Sequence, residues 1–169
     1  MELWDLYNEK REVVFKGHKR GDVIHNGMYH LVVHVWIKNK DNKYLISRRA
    51  MHRPTFPGMY ECVGGSVLMD EDSLNGALRE TIEEVGITLD KEKGKVVKTV
   101  IRGIINGKPF NDIMDVWLFD YDGELDLSKA TTDEVMEADW MTANEIQKLF
   151  DEGKLVPTLE YFFKDVKNN

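Results

Sequence analysis

The stretch DSLNGALRETIEEVG, residues 72–86, constrains the chain more than any other. At about 100° per residue, Leu74, Ala77, Leu78, Ile82 and Val85 share one arc of a helix, with Thr81 inside it. That arc needs a core to face. Glu80, Glu83 and Glu84 lie on the other side, grouped around Gly76 and flanked by Arg79. Like charges at that spacing repel by roughly 0.2–0.5 kcal/mol per pair. Gly86 is a natural helix-ending residue, so the acids also crowd the negative end of the helix dipole. Gly76 adds a cost of about 1 kcal/mol relative to alanine. A solvated acidic face is the ordinary reading of such a helix, but these costs weaken it. A hard divalent cation relieves the repulsion: Mg²⁺ takes oxygen ligands and shares itself between carboxylates and substrate phosphates.

The rest of the chain reads as strands around this helix. Residues 2–17 form a short N-terminal hairpin with its turn near Asn8. MYHLVVHVWIK (28–38) is strand-like, with Leu31, Val33, Val35 and Ile37 on one face and His30, Val32, His34 and Trp36 on the other. KYLISRR follows as a second strand, and YECVGG leads into a Gly-Gly break. VVKTVIRGII and FNDIMDVWLFDY flank Asn106-Gly107, a type I′ hairpin signal. In the latter, Met114, Val116 and Leu118 face one way and Asp115, Trp117 and Phe119 the other. A short strand near VMEADWM precedes C-terminal helices over about 142–166, with Thr142 as N-cap of the first. Hairpins combined with strands that bracket helices predict one α/β domain over 1–169, a sandwich with a mixed sheet.

Charge and cysteine content narrow the function. Thirty acids against 23 bases give a net charge of −7, which argues against a nucleic-acid polymer as partner. A small anion remains compatible, because a bound cation inverts the local sign. Cys62 is the one cysteine, so no internal disulfide forms, and the chain fits a reducing compartment. Neither an apolar leader nor a run of membrane-spanning length is present in the sequence, which sets a cytoplasmic, monomeric or homodimeric protein as the expectation.

From Gly65 the sequence runs GSVLMDEDSLNGALRETIEEVGI: a glycine, five residues, Glu71, seven residues, then Arg-Glu-x-x-Glu-Glu-x-Gly-Ile. This resembles the signature of the Nudix hydrolases, G-x5-E-x7-R-E-U-x-E-E-x-G-U, where U is apolar. Every fixed position matches, and Thr81 at the first U is the one departure. The resemblance implies an α/β/α sandwich and a small-molecule substrate carrying a diphosphate linked to another group. It implies Mg²⁺, with Mn²⁺ as a substitute, held by Glu80, Glu83, Glu84 and the carbonyl of Gly64. It implies that Glu71 holds Arg79, and that a further glutamate comes from the loop before a late Trp-containing strand. TTDEVMEADW offers Glu134 for that role, with Glu137 and Asp133 as rivals.

Two more residues are substrate-binding candidates. Arg49, in the basic stretch SRRAMHRP, matches a position where relatives touch phosphate, and a planar two-pronged donor suits that task. Asp115, among aromatics, is a candidate to read a base or ribose, or to cap a neighbouring hydrogen-bond network. The sequence is also similar to a subgroup related to isopentenyl-diphosphate isomerases, with Cys62 near where their cysteine falls. The segment Val63-Gly64-Gly65-Ser66 and the intact glutamate box favour hydrolysis over isomerisation. The intact box also favours it over a Nudix module that binds without turnover.

Overall fold

The computed structural model describes residues 1–169. Nine strands and two α-helices follow the order β1 (Leu3–Tyr7), β2 (Val13–Lys19), β3 (Tyr29–Lys38), β4 (Tyr44–Arg49), β5 (Tyr60–Glu61), β6 (Val63–Ser66), α1 (Ser73–Val85), β7 (Gly94–Ile105), β8 (Lys108–Asp120), β9 (Val135–Met141) and α2 (Ala143–Asp151). β3 is the hub. It pairs in parallel with β8 from His30↔Asp112 to Lys38↔Asp120, and antiparallel with β6 and the start of β1. β7 extends this side as the antiparallel partner of β8, while β9, β4 and β5 form a smaller antiparallel group. One parallel pair among antiparallel ones makes the sheet mixed, as its hairpins require.

The alternation along β3 divides the interior in two. Leu31, Val33, Val35 and Ile37 pack with Val63, Ala77, Val85 and Phe119 beneath α1. Trp36 packs on the opposite face with Met114, Val116, Ile146 and Phe162. The two faces of β8 divide between the same cores, with Met114, Val116 and Leu118 in one and Phe119 and Trp117 in the other. Helical layers therefore cover both sides of a sheet. Asn106 and Gly107 both have positive φ, 50° and 76°, as a type I′ turn demands.

Two expectations change. The chain after α2 does not form a further α-helix. It makes a 3₁₀ turn at Pro157–Leu159 and a π-helical turn at Phe162–Val166. Adjacent residues there must both point inward: Phe162 stacks on Trp36 at 4.5 Å, and the Tyr161 hydroxyl accepts a hydrogen bond from Trp36 Nε1. A wider turn accommodates that demand. The buried face of α1 is also rotated from the wheel. Ile82 is 37% exposed, whereas Thr81 is fully buried and Glu84 is 5% exposed. The Thr81 hydroxyl donates to the Ala77 carbonyl, so its burial leaves no orphan.

Candidate active site

α1 starts at Asp72, whose side chain accepts from Asn75 N, and ends at Gly86 in the left-handed region (φ 72°). Its last carbonyls lack intrahelical partners. The loop before β9 supplies them: Thr131 N, Thr132 N and the Thr132 hydroxyl all donate to the Glu83 carbonyl. This cap carries Glu134 to the same end of the helix. Of the three acids in TTDEVMEADW considered above, Glu134 is the one whose charge acts on Glu80 and Glu84. Asp133 is 94% exposed beside His52, and Glu137 bonds Tyr60 and Arg48.

Arg79 answers part of the charge problem on the helix. Nε and Nη2 reach the two oxygens of Glu71 at 2.9 Å each, while Nη1 reaches Glu80 at 2.8 Å and Glu83 at 3.0 Å. Nη2 also donates to the Ser66 carbonyl. Burial works against its charge, but these carboxylates raise its pKa further above the usual arginine value. Gly76 is needed for close approach: a Cβ there would lie 2.9 Å from a Val67 methyl and 3.3 Å from Glu71 Oε2. Gly65 leaves room in the same way for the Glu80 carboxylate, which a Cβ would meet at 2.3 Å.

Glu84 has no arginine. Its one hydrogen bond comes from Gly64 N at 3.4 Å. Burial drives its pKa well above the ordinary range, reinforced by the charges of Glu61, Glu80 and Glu134. Burial likewise pushes Glu80 up to about 7, although Arg79 opposes the shift. Glu61 is a member that sequence reasoning missed. It sits opposite Ser47 on β5, and its signal was the alternation in YECVGG, which turns Glu61 and Val63 to the α1 side and Cys62 away. Arg49, expected at phosphate, donates to Glu61 at 2.7 Å and to both oxygens of Thr55. Asp115 is engaged elsewhere: Arg11, from the turn of the β1–β2 hairpin, holds both its oxygens, and the Thr99 hydroxyl donates at 2.7 Å. Burial raises the Cys62 thiol well above its usual pKa, which keeps it a neutral packing residue of the second core.

The comparison that decides the family is a match of the NUDIX domain model to residues 28–164. The chain belongs to the Nudix family. A Nudix hydrolase of Listeria innocua serovar 6a, itself uncharacterised, is 34% identical over 164 residues, covering 96% of this chain and 91% of that one. A Deinococcus radiodurans crystal structure superposes with a TM-score of 0.70 at 22% identity, covering 92% of each chain. The NUDIX domain of Shewanella oneidensis NrtR, solved with ADP ribose, gives a TM-score of 0.56 at 16% identity, covering 71% of this chain and 77% of that one. These two likenesses establish the shared Nudix fold. With its relatives, the chain is a Nudix diphosphate hydrolase. No helix is long and apolar enough to cross a membrane.

The donor chemistry suits the divalent cation on which Nudix hydrolases generally depend, although no three of these carboxylates already converge on one point. Glu84 is a buried carboxylate with one weak hydrogen bond, surrounded by other carboxylates and not by cations. Leaving such a charge unpaired is costly. Gly65 leaves the Glu80 carboxylate a bed that any side chain would fill.

Proposed function

We propose that the protein hydrolyses a small-molecule diphosphate linked to another group, such as a nucleoside diphosphate derivative, in a reaction requiring Mg²⁺ or Mn²⁺. The observation that carries this reading is Glu84, buried among Glu61, Glu80 and Glu134 without a counterion. In this reading Glu80, Glu83, Glu84 and the Gly64 carbonyl hold the cation, and Glu134 completes the set. When bound, the cation neutralises charge on the diphosphate and increases the acidity of water.

The chain's own groups do the rest. Glu71 fixes Arg79, and Arg79 aims Glu80 and Glu83 without competing for Glu84. A carboxylate of this cluster accepts the proton of the attacking water. Water attacks phosphorus, the P–O bond of the anhydride breaks, and two phosphate-bearing products leave. Arg49 is positioned at the wall of the site, and a guanidinium there suits a diphosphate oxygen. The nucleoside part of the substrate is supported by likeness alone: ADP ribose is the ligand of the NrtR domain.

The test is a panel of nucleoside diphosphate derivatives and non-nucleoside diphosphates with Mg²⁺ or Mn²⁺, run in ¹⁸O-labelled water. Cation-dependent turnover with label on phosphate is the expected result. Label on carbon, or isomerisation without hydrolysis, would contradict it.

A further inference from the structure

Four buried or half-buried Arg–carboxylate pairs in this protein differ in kind. Arg11–Asp115 and Arg102–Asp112 are two-pronged, each guanidinium meeting both oxygens of one aspartate. Arg49 reaches Glu61 through Nη1 alone, at 2.7 Å, its other prongs going to Thr55, and Arg53 Nη1 lies 2.9 Å from one oxygen of Glu134. The Nε of Arg53 is buried without any acceptor. An unmet buried donor is expensive, so Glu134 satisfies Arg53 only in part. These two pairs also join groups of the active site: Glu61 and Glu134 are the carboxylates whose charges act on Glu84 alongside Glu80. Their arginines stand on β4 and on the loop after it. The Ala50 N–H donates to the Glu134 carbonyl at 2.8 Å, and Arg53 N donates to the Ala50 carbonyl. The backbone holds arginine and glutamate side by side even when the side chains part.

We propose that Arg49–Glu61 and Arg53–Glu134 are exchangeable counterion pairs: the carboxylates turn to the cation, the arginines turn to the diphosphate, and binding of either ligand thereby favours the other. The inference rests on the function proposed above. Each ligand alone must break the pairs and strand one partner, whereas both together leave every charge matched. Coupling of this kind is reciprocal and lies typically in the range of about 5–150-fold.

The experiment uses the full chain, with free Mn²⁺ read by electron paramagnetic resonance and methylenediphosphonate binding read by calorimetry. In the parent, saturating diphosphonate tightens Mn²⁺ binding by about tenfold or more. Glu61→Gln and Glu134→Gln, which keep shape, each tighten diphosphonate binding in the absence of metal, because they release an arginine. Arg53→Met tightens Mn²⁺ binding in the absence of diphosphonate and reduces the coupling. Glu137→Gln, which frees Arg48 on the opposite face of β4, tightens neither. Metal-free diphosphonate binding unchanged in both glutamine variants would overturn the proposal, as would an equal gain in Glu137→Gln, which would mark a bulk-charge effect. If Arg53→Met does not fold, the two glutamine variants decide. Glu84→Gln separates the two readings. If it binds Mn²⁺ like the parent, the cation site itself is misassigned. If it loses Mn²⁺ while the glutamine variants at 61 and 134 show no gain, only the exchange fails.

Discussion

A methyl group on Gly65 would lie 2.3 Å from the carboxylate carbon of Glu80, on a backbone that does not require glycine for its φ. Gly65→Ala should therefore fold, yet push Glu80 out of place. The expected outcome is weaker Mn²⁺ binding and a loss of turnover by an order of magnitude or more, with a small change in melting temperature. Titration of Mn²⁺ beside a rate assay checks it, and unchanged affinity would show that the bed under Glu80 is not used. Cys62 gives the opposite expectation. It is buried in the second core, behind β6. Cys62→Ala should lower stability by about 1 kcal/mol through lost packing and leave hydrolysis largely intact. Abolished turnover in a folded variant would revive the isomerase reading. The acidic turn of Glu80, Glu83 and Glu84 beside Arg79 was legible because fixed spacing on a helix fixes direction, whereas Glu71, which precedes the helix, was assigned to Arg79 through the family resemblance. Glu61 was missed because the alternation that turns it inward does not show what it faces, and the engagement of Asp115 by Arg11 depends on a partner 104 residues away.

At the scale of elements, the end of α1 and the loop before β9 form one unit. Thr132 donates to the Glu83 carbonyl through both N–H and hydroxyl. Thr132→Val removes the hydroxyl bond at near-constant shape. It should cost about 0.5–1.5 kcal/mol in urea unfolding and raise the cation concentration needed for half-maximal rate, as Glu134 loosens. A stability loss with no change in cation dependence would separate the cap from the site. The strands were readable from alternation, which survives without knowledge of neighbours. The buried face of α1 was not, because a wheel assigns sides by hydropathy, whereas the carboxylate walls of β5 and the β9 loop bury Glu84 and leave Ile82 outside. The C-terminal segment failed for a related reason. Helical spacing in VPTLEYFFKDV cannot show that Tyr161 and Phe162 both turn toward Trp36.

Across the whole molecule, two histidines tie stability to pH. Burial lowers His34 to about 3 and His30 to about 4, and His34 Nδ1 lies 2.7 Å from the Tyr161 hydroxyl. A histidine depressed in the folded state contributes stability that is present above its unfolded pKa near 6.5 and lost as pH falls toward the folded value. Below pH 6.5 the unfolding free energy of the parent should drop faster than that of His34→Gln, by up to about 1.4 kcal/mol per pH unit. Parallel urea titrations at several pH values between about 4 and 7 read the difference; equal slopes would mean that His34 is protonated in the fold.

What matters most is whether the acids of α1 are held for a cation. Glu84→Gln tests it most directly, by thermal melts with and without saturating Mg²⁺ or Mn²⁺ alongside a rate assay. Burial raises the Glu84 pKa, so its carboxyl opposes folding increasingly as pH rises above the unfolded value. Without metal, the variant should melt at or above the parent near neutral pH. With metal, the parent should gain more, because binding to the native state stabilises it by mass action. Turnover of the variant should fall by orders of magnitude. A variant that melts well below the parent without metal, yet keeps its rate, would show that Glu84 belongs to a structural network and not to a cation site.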